Sequence, residues 1–377
     1  MSSEDLKSRI TRLAVELGFA ASRIAPAAPP PHAAEFLAWL AEGHAADMDW
    51  LHRNADRRTD LQKVLPGARS VVMLAANYWQ GPRPDPPADA ACGTIARYAW
   101  GGDYHDWMLE RMQRLSDVMA TEGGVQKIYV DTGPVIERDF AALSGLGWHG
   151  KSTMLINRRL GTWFFLGEIL TTLDLTPDPP EKDHCGRCTR CIDACPTGAI
   201  IAPHKLDARK CLSYLTIENK GSIPLEYREA LGDRIYGCDD CLDACPWNRF
   251  ATASREAIFQ AKNTVLNRPL RDFLSLDNQG FRALFRGSPI LRIRRPRFLR
   301  NVCVALGNVG TTDDLPALTL AAADPHPLIS EHAQWALTRI IRKAEILAGC
   351  RAHGLPYSQD LREKQASDFH KSDSLLA

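Results

Sequence analysis

Eight cysteines fall between residues 185 and 245 in a spacing that few chemistries use. The first run, Cys185-x-x-Cys188-x-x-Cys191-x-x-x-Cys195-Pro196, matches the bacterial ferredoxin pattern without a gap. The second, Cys238-x-x-Cys241-x-x-x-Cys245-Pro246, repeats the end of that pattern and lacks its first cysteine, which Cys211 can supply. In two-cluster ferredoxins, three closely spaced thiolates wrap one iron–sulfur cube, and the last cysteine of each run, turned away by a proline, ligates the other. That rule puts Cys185, Cys188, Cys191 and Cys245 on one [4Fe–4S] cluster and Cys195, Cys211, Cys238 and Cys241 on a second. Zinc also takes four thiolates, but usually from separated C-x-x-C pairs and not from interlocked runs that each end in Cys-Pro. Cys92, Cys303 and Cys350 stand alone and read as ordinary thiols.

Two clusters form an electron wire, and a wire fused to larger domains implies a reductase. The elements that must hold it are available, because 377 residues suffice for two or three cores at about 100–200 residues per domain. Apolar runs such as Val71–Ala76 are far too short to span a bilayer. The N-terminus has no basic stretch followed by a hydrophobic core; Leu6, Ile10, Leu13 and Leu17 instead recur at helical spacing behind Ser2, Ser3 and Glu4. A cytoplasmic protein is expected, in which eleven cysteines stay reduced and serve metal or redox chemistry. The net charge of +1 gives no global sign of a nucleic-acid partner, so any such site must come from a local concentration of charge.

Residues 1–176 mix helical periodicity with strand-like runs at Ser70–Ala76, Lys127–Asp131, Thr153–Ile156 and Trp163–Leu170, which reads as an α/β domain interrupted by a surface loop over Gly81–Pro87. The linker Thr176-Pro-Asp-Pro-Pro180 hands over to a ferredoxin-like block, residues 177–255. From 256 to 377 the pattern turns helical. Phe298, Val302, Ala305 and Leu306 form one stripe, Leu315, Leu318 and Leu320 a second, and Ile329, Ala333, Ala336, Leu337 and Ile340 a third, suggesting a HEAT-like repeat before a polar tail after Pro356. The expected fold is thus multidomain α+β. Gly145-Leu-Gly-Trp-His-Gly150-Lys151-Ser152 satisfies both GxxxxGK[ST] and GxGxxG, but those motifs need a strand before and a helix after. Here Ile136–Ser144 is helical in pattern and Thr153–Ile156 strand-like, so no nucleotide site is expected.

Val130-Asp-Thr-Gly-Pro134, Gly145-Leu-Gly-Trp-His-Gly-Lys151, Leu166-Gly-Glu168, the double cysteine run, Arg297-Phe-Leu-Arg-Asn301 and Glu331-His-Ala-Gln-Trp-Ala-Leu337 together resemble one family, the epoxyqueuosine reductases. The likeness runs in order across nearly the whole chain, starting at Arg97-Tyr-Ala-Trp-Gly-Gly-Asp-Tyr-His105. It implies a base-off cobalamin in the α/β domain, reduced through the clusters by an external low-potential donor. It also implies removal of the epoxide oxygen of epoxyqueuosine at the tRNA wobble position, the last step of queuosine biosynthesis. The familiar DxHxxG corrinoid motif is absent, since Asp103-Tyr-His-Asp-Trp-Met108 lacks the glycine, and His105 is not expected to ligate cobalt.

Such a reaction needs two electrons and two protons, and an epoxide oxygen leaves more readily as it is protonated; a carboxylic acid suits that task if burial holds its proton. By the family motif this acid is Asp131, which also belongs to the cobalamin pocket; read without the resemblance, Asp-Thr-Gly-Pro is a turn signal. Lys151, Ser152 and Glu168 are expected to contact the corrin amides or tail. Arg97, Tyr98 and Tyr104 are expected to line the pocket, and Ser213 to lie between the second cluster and the corrin. Arg292, Arg294, Arg295, Arg297 and Arg300 put five arginines in nine residues with no acid among them, a candidate clamp for tRNA phosphates whose alternative is a solvated basic face. Trp107, Trp148 and Tyr214 are candidates for base stacking or for core. No membrane contact and a monomer are expected. A corrinoid reductive dehalogenase and a plain two-cluster electron carrier are the competing readings.

Overall fold

The computed structural model describes residues 3–85 and 91–352; the tail after Pro356 and the Pro86–Pro87 end of the expected loop lie outside them. One sheet organises the first half of the chain. Its strands are β1 (Ala21–Pro26), β2 (Ser70–Asn77), β3 (Gln126–Tyr129) and β4 (Phe164–Thr171), in the order β1-β2-β4-β3. Every pairing in it is antiparallel. Helices nevertheless cover both faces, so the central strand β2 is buried on both sides and reads as a continuous apolar run. Val72, Leu74 and Ala76 pack with Leu6 and Ile10 of α1 (Ser3–Glu16) and with Met108 and Met112 of α2 (Tyr104–Ala120). Val71, Met73 and Ala75 pack with Phe140 and Ala141 of α3 (Glu137–Leu143). Gly167 on β4 lets α2 come close, since a Cβ there would lie 2.7 Å from Met112 Sδ.

The expected strands at Ser70–Ala76, Lys127–Asp131 and Trp163–Leu170 form, with small shifts of their ends. Thr153–Ile156 shortens to Leu155–Ile156, paired with Trp148–His149, and the edge strand β1 was not anticipated. The helix before the Gly145–Ser152 loop and the short strand after it are both present, the reverse of a phosphate loop.

The cysteine segment carries α4 (Leu212–Ile217), and the C-terminal part holds α5 (Arg294–Val309), α6 (Leu315–Ala322) and α7 (Pro327–Ala352), packed around Phe298, Val302, Leu306, Leu318, Ile329 and Ala336. That core also takes in Ile95, Trp100, Ile235 and Tyr236, because Thr94–Ile95 leaves the first segment to pair in parallel with Arg234–Tyr236. Leu242 and Phe259 in turn join the core under α1 and α2. Segments 1–176, 177–255 and 256–377 therefore do not close three separate cores.

The arginine run is not one free basic face, which corrects the expectation of a five-arginine clamp. Arg300 is fully buried and donates to the carbonyls of Leu215, Asn219 and Gly221 at the end of α4. Arg297 donates to the carbonyl of Ile217 at 2.9 Å, and Arg295 to Asp324 at 2.6 Å. The last carbonyls of a helix lack intrahelical donors, and two of these arginines supply them to α4. Arg292 and Arg294 stay exposed, and Arg294 holds φ 61° and ψ 164°, a region that suits only glycine. Arg300→Ala should therefore lower stability by about 3 kcal/mol through orphaned buried carbonyls, whereas Arg294→Gly should raise it by about 1 kcal/mol. Denaturant unfolding of the cluster-loaded protein checks both.

Candidate active site and cluster cradle

β3 ends at Tyr129 and the chain turns at once: Thr132 N–H donates to the Val130 carbonyl at 2.6 Å, and Asp131 sits at φ 49°. Aspartate is among the few residues that tolerate this left-handed conformation. Gly133 is required as well, because a Cβ there would lie 2.4 Å from Tyr129 Cγ. The turn delivers the Asp131 side chain, 41% exposed, to the first turn of α2. Asp103 caps that helix: its Oδ1 accepts from His105 N–H at 3.1 Å and faces His105 Nδ1 at 2.7 Å. His105 Nε2 lies 2.9 Å from Asp131 Oδ1, while the Tyr104 hydroxyl donates to Asp131 Oδ2. The Tyr104 ring stacks on Phe165 at 3.9 Å. Burial, and then the Asp131 charge, raise its pKa, so the hydroxyl keeps its proton.

A fourth group arrives from the far end of the chain. Arg292 Nη1 is 3.0 Å from His105 Nε2, and its Nη2 is 3.5 Å from Asp103 Oδ2. A guanidinium can only donate, so a ring nitrogen that accepts from it carries no proton. The ring proton then sits on Nδ1 toward Asp103. If the ring holds both protons, Nε2–H donates to Asp131 Oδ1 and two cations stand in contact. His105 Nε2 and Asp131 Oδ1 thus face each other along a 2.9 Å line, and the Arg292 guanidinium beside it opposes charging of the ring. Burial opposes charging the ring, but hydrogen bonds to Asp103 and then Asp131 outweigh it, and the His105 pKa rises above its ordinary value.

The cysteines fall into two groups. Cys245 stands among Cys185, Cys191 and Cys188; burial, and then those neighbours, raise its thiol to about 11. Cys241 is raised by burial and then by Cys238, Cys211 and Cys195. Burial likewise pushes Cys238 up to about 12. Thiolates crowded away from water need a cationic core to ionise together. Among the described residues no three of these sulfurs lie within 4.8 Å of one another. Ligands of a single zinc would sit about 3.8 Å apart for a Zn–S bond near ~2.3 Å.

Lys151 Nζ donates to the carbonyls of Gly186 at 2.6 Å and Cys188 at 3.0 Å, tying down the first cysteine loop. Arg97 is buried against Trp79, Trp100 and Trp163 and reaches Asp243 at 2.8 Å, which latches the second cysteine run to the first sheet. Tyr98 donates to the Tyr236 hydroxyl at 3.1 Å. Ser152 is buried, and Ser213 sits in the first turn of α4 beside Cys211. Glu168 is buried with its Oε2 unpartnered; burial, then Glu137 and Asp131, raise its pKa. Trp107, Trp148 and Tyr214 are buried, so of the two readings open to them, base stacking or core, the core one holds. Sequence reasoning passed over His105 and Asp103; the Asp103 N-cap, two residues before His105, was the one local signal.

Two ferredoxin-type thiol groups packed on a helix–sheet–helix unit that presents a carboxyl hydrogen-bonded to a histidine define an iron–sulfur reductase. A family model described as a 4Fe-4S double cluster binding domain matches residues 184–248, and one described as epoxyqueuosine reductase QueG, DUF1730, matches residues 58–132. An epoxyqueuosine reductase of Xanthomonas campestris pv. campestris is 43% identical over 89% of this chain and 96% of its own length. That of Escherichia coli is 36% identical over 90% of each. The solved structure described as epoxyqueuosine reductase with a tRNA-Tyr epoxyqueuosine-modified stem loop is similar at TM-score 0.85 and 29% identity, covering 90% of this chain and 91% of that one. Another, from Bacillus subtilis, described as having its catalytic aspartate loop swung out of the active site, gives TM-score 0.83 at 28% identity, with the same coverage of both chains. The chain belongs to the epoxyqueuosine reductase family and is an oxidoreductase. The family's cofactors are cobalamin and two [4Fe–4S] clusters. The dehalogenase and plain electron-carrier readings give way to it. Among the described residues no helix is long and apolar enough to cross a membrane.

Cys245→Ala should reduce bound iron from about eight to about four atoms per chain, and should perturb the remaining cluster's spectrum because the runs interlock. Iron and sulfide analysis with electron paramagnetic resonance reads both.

Proposed function

We propose that this chain reduces epoxyqueuosine to queuosine in tRNA and that Asp131 donates the proton that opens the epoxide. The observation that carries the reading is the hydrogen-bonded line Asp103–His105–Asp131 with Arg292 set against its middle. As the first C–O bond breaks, Asp131 gives its proton to the oxygen. When the second breaks, that oxygen leaves with another proton as water, so two electrons and two protons yield the alkene. His105 and the Tyr104 hydroxyl hold the carboxyl in place, and His105 returns its proton. Cobalamin, when bound, supplies a low-valent cobalt able to deliver the electron pair.

The cluster ligands in this reading are Cys185, Cys188, Cys191 and Cys245, and Cys195, Cys211, Cys238 and Cys241. The unpartnered Oε2 of Glu168 fits a donor such as a corrin amide, with Asp131, Tyr98, Tyr104, Ser152 and Ser213 as further pocket candidates. Arg97 and Lys151 act there by fixing the cysteine loops. The division at 177 and 256 and the HEAT-like character of α5 to α7 belong to the same proposal, as do a cytoplasmic monomer and an external low-potential donor. For tRNA, the relative bound to a modified stem loop supports a phosphate contact. Of the five arginines, Arg292 and Arg294 remain open to make it.

Asp131→Asn should keep both clusters and cobalamin yet slow single-turnover formation of queuosine by about 10² or more; an unchanged rate removes Asp131 from the acid role. The couple must hold its proton, and the His105 pKa is raised, so the rate should be level at low pH and fall as pH rises through that raised value. Asp103, Tyr104 and Asp131 face His105, with Arg292 as the opposing cation. Arg292→Gln should therefore move the alkaline limb to higher pH while lowering the plateau. A change in tRNA affinity alone would mark Arg292 as a phosphate contact and nothing more.

A further inference from the structure

Outside that site, three side chains that the reaction does not use meet at one point. His32 precedes the helix Ala33–Ala41, Asp139 lies in the first turn of α3, and His149 is on the short strand Trp148–His149. His32 Nδ1 is 2.8 Å and His149 Nε2 3.1 Å from the same carboxylate oxygen, Asp139 Oδ1. All three potential ligand atoms lie within 4.8 Å of one another. The other oxygen, Oδ2, accepts the His32 backbone N–H at 2.9 Å, which sets the orientation of the carboxylate. The two imidazoles meet edge to face at 4.9 Å.

Burial makes the arrangement unusual. The Asp139 side chain is 0% exposed, and the groups that offset its burial are the two histidines and a backbone N–H, with no Lys or Arg among them. His149 Nε2 is itself buried yet makes no well-directed hydrogen bond, despite its 3.1 Å approach to the carboxylate. His32, by contrast, is 53% exposed, which leaves one side open to water. A buried carboxylate with two imidazole nitrogens within 4.8 Å of it and one partly exposed side, at His32, is the donor set of an open zinc site. Two nitrogens and one oxygen favour zinc over magnesium or calcium, which prefer all-oxygen shells.

We propose that His32, Asp139 and His149 bind a divalent transition metal, zinc in the first instance, with water as the fourth ligand. The bound ion would pin the loop before Ala33 and the Gly145–Lys151 loop to α3. That second loop carries Lys151 onto the carbonyls of Gly186 and Cys188, so zinc would stiffen the backing of the first cysteine loop.

The test uses holoprotein with both clusters in place, titrated with zinc chloride and desalted, with zinc and iron counted together by mass spectrometry. Asp139→Asn removes a buried charge that the fold relies on, so His32→Gln, His149→Gln and the double variant carry the comparison. Wild type should retain one zinc per chain with its iron unchanged and should melt at a higher temperature with zinc than without. Each single variant should weaken binding by about tenfold or more, and the double variant should lose both the zinc and the shift in melting. The proposal is overturned if wild type retains no zinc, if the double variant retains as much as wild type, or if zinc enters only as iron leaves, which would place it on the cysteines.

Discussion

The hydrogen bond between His105 and Asp131 is the interaction around which the molecule is arranged. Holding it takes three pieces of chain far apart in sequence: the turn that ends β3, the capped start of α2, and Arg292 just before α5. Each has a separate physical reason to be where it is. The turn exists because Asp131 tolerates φ 49° and Gly133 admits the Tyr129 ring. The helix starts where Asp103 accepts its free N–H, and the same carboxylate then fixes the imidazole. Arg292 is delivered by a helical core that closes only after nearly three hundred residues.

The cysteine segment is mortar as well as wire. Arg97 ties it to the first sheet through Asp239 and Asp243, Thr94–Ile95 adds a strand to it, and Asn301 and Arg300 bind its carbonyls from the other side. Asn301 Nδ2, for instance, donates to the carbonyls of Thr216 and Ile235, on the connection between Cys211 and Cys238. Distances between cysteines and active-site turn are thereby fixed by packing on two faces. An electron path benefits from that rigidity, and the exposed Asp131 carboxyl is left as the open edge of an otherwise interlocked body.

Much of this was legible before any coordinates, and unevenly so. The cysteine spacing is local and chemically specific, so the grouping could be reasoned from the chain alone. The amphipathic stripes of α5 and α7 and the apolar run of β2 announced themselves by period. Direction did not, because a strand's pattern is the same whichever way it runs, and the all-antiparallel order of the sheet stayed hidden. The arginines show the limit most clearly. Arg297 and Arg300 look like their neighbours in sequence, yet they lie on the side of α5 that faces carbonyls some eighty residues earlier. His105 was hidden for the same reason, since its partners at 131 and 292 are brought to it by folding and not by spacing.

The most direct test supplies the wild-type protein, with cobalamin and both clusters reduced under anaerobic conditions, with tRNA containing epoxyqueuosine, and follows nucleosides by mass spectrometry alongside the electrons consumed. The account predicts queuosine, formed by loss of one oxygen atom, with two electrons withdrawn per molecule. Electrons consumed without queuosine, or epoxyqueuosine returned unchanged from fully reduced protein, would contradict it.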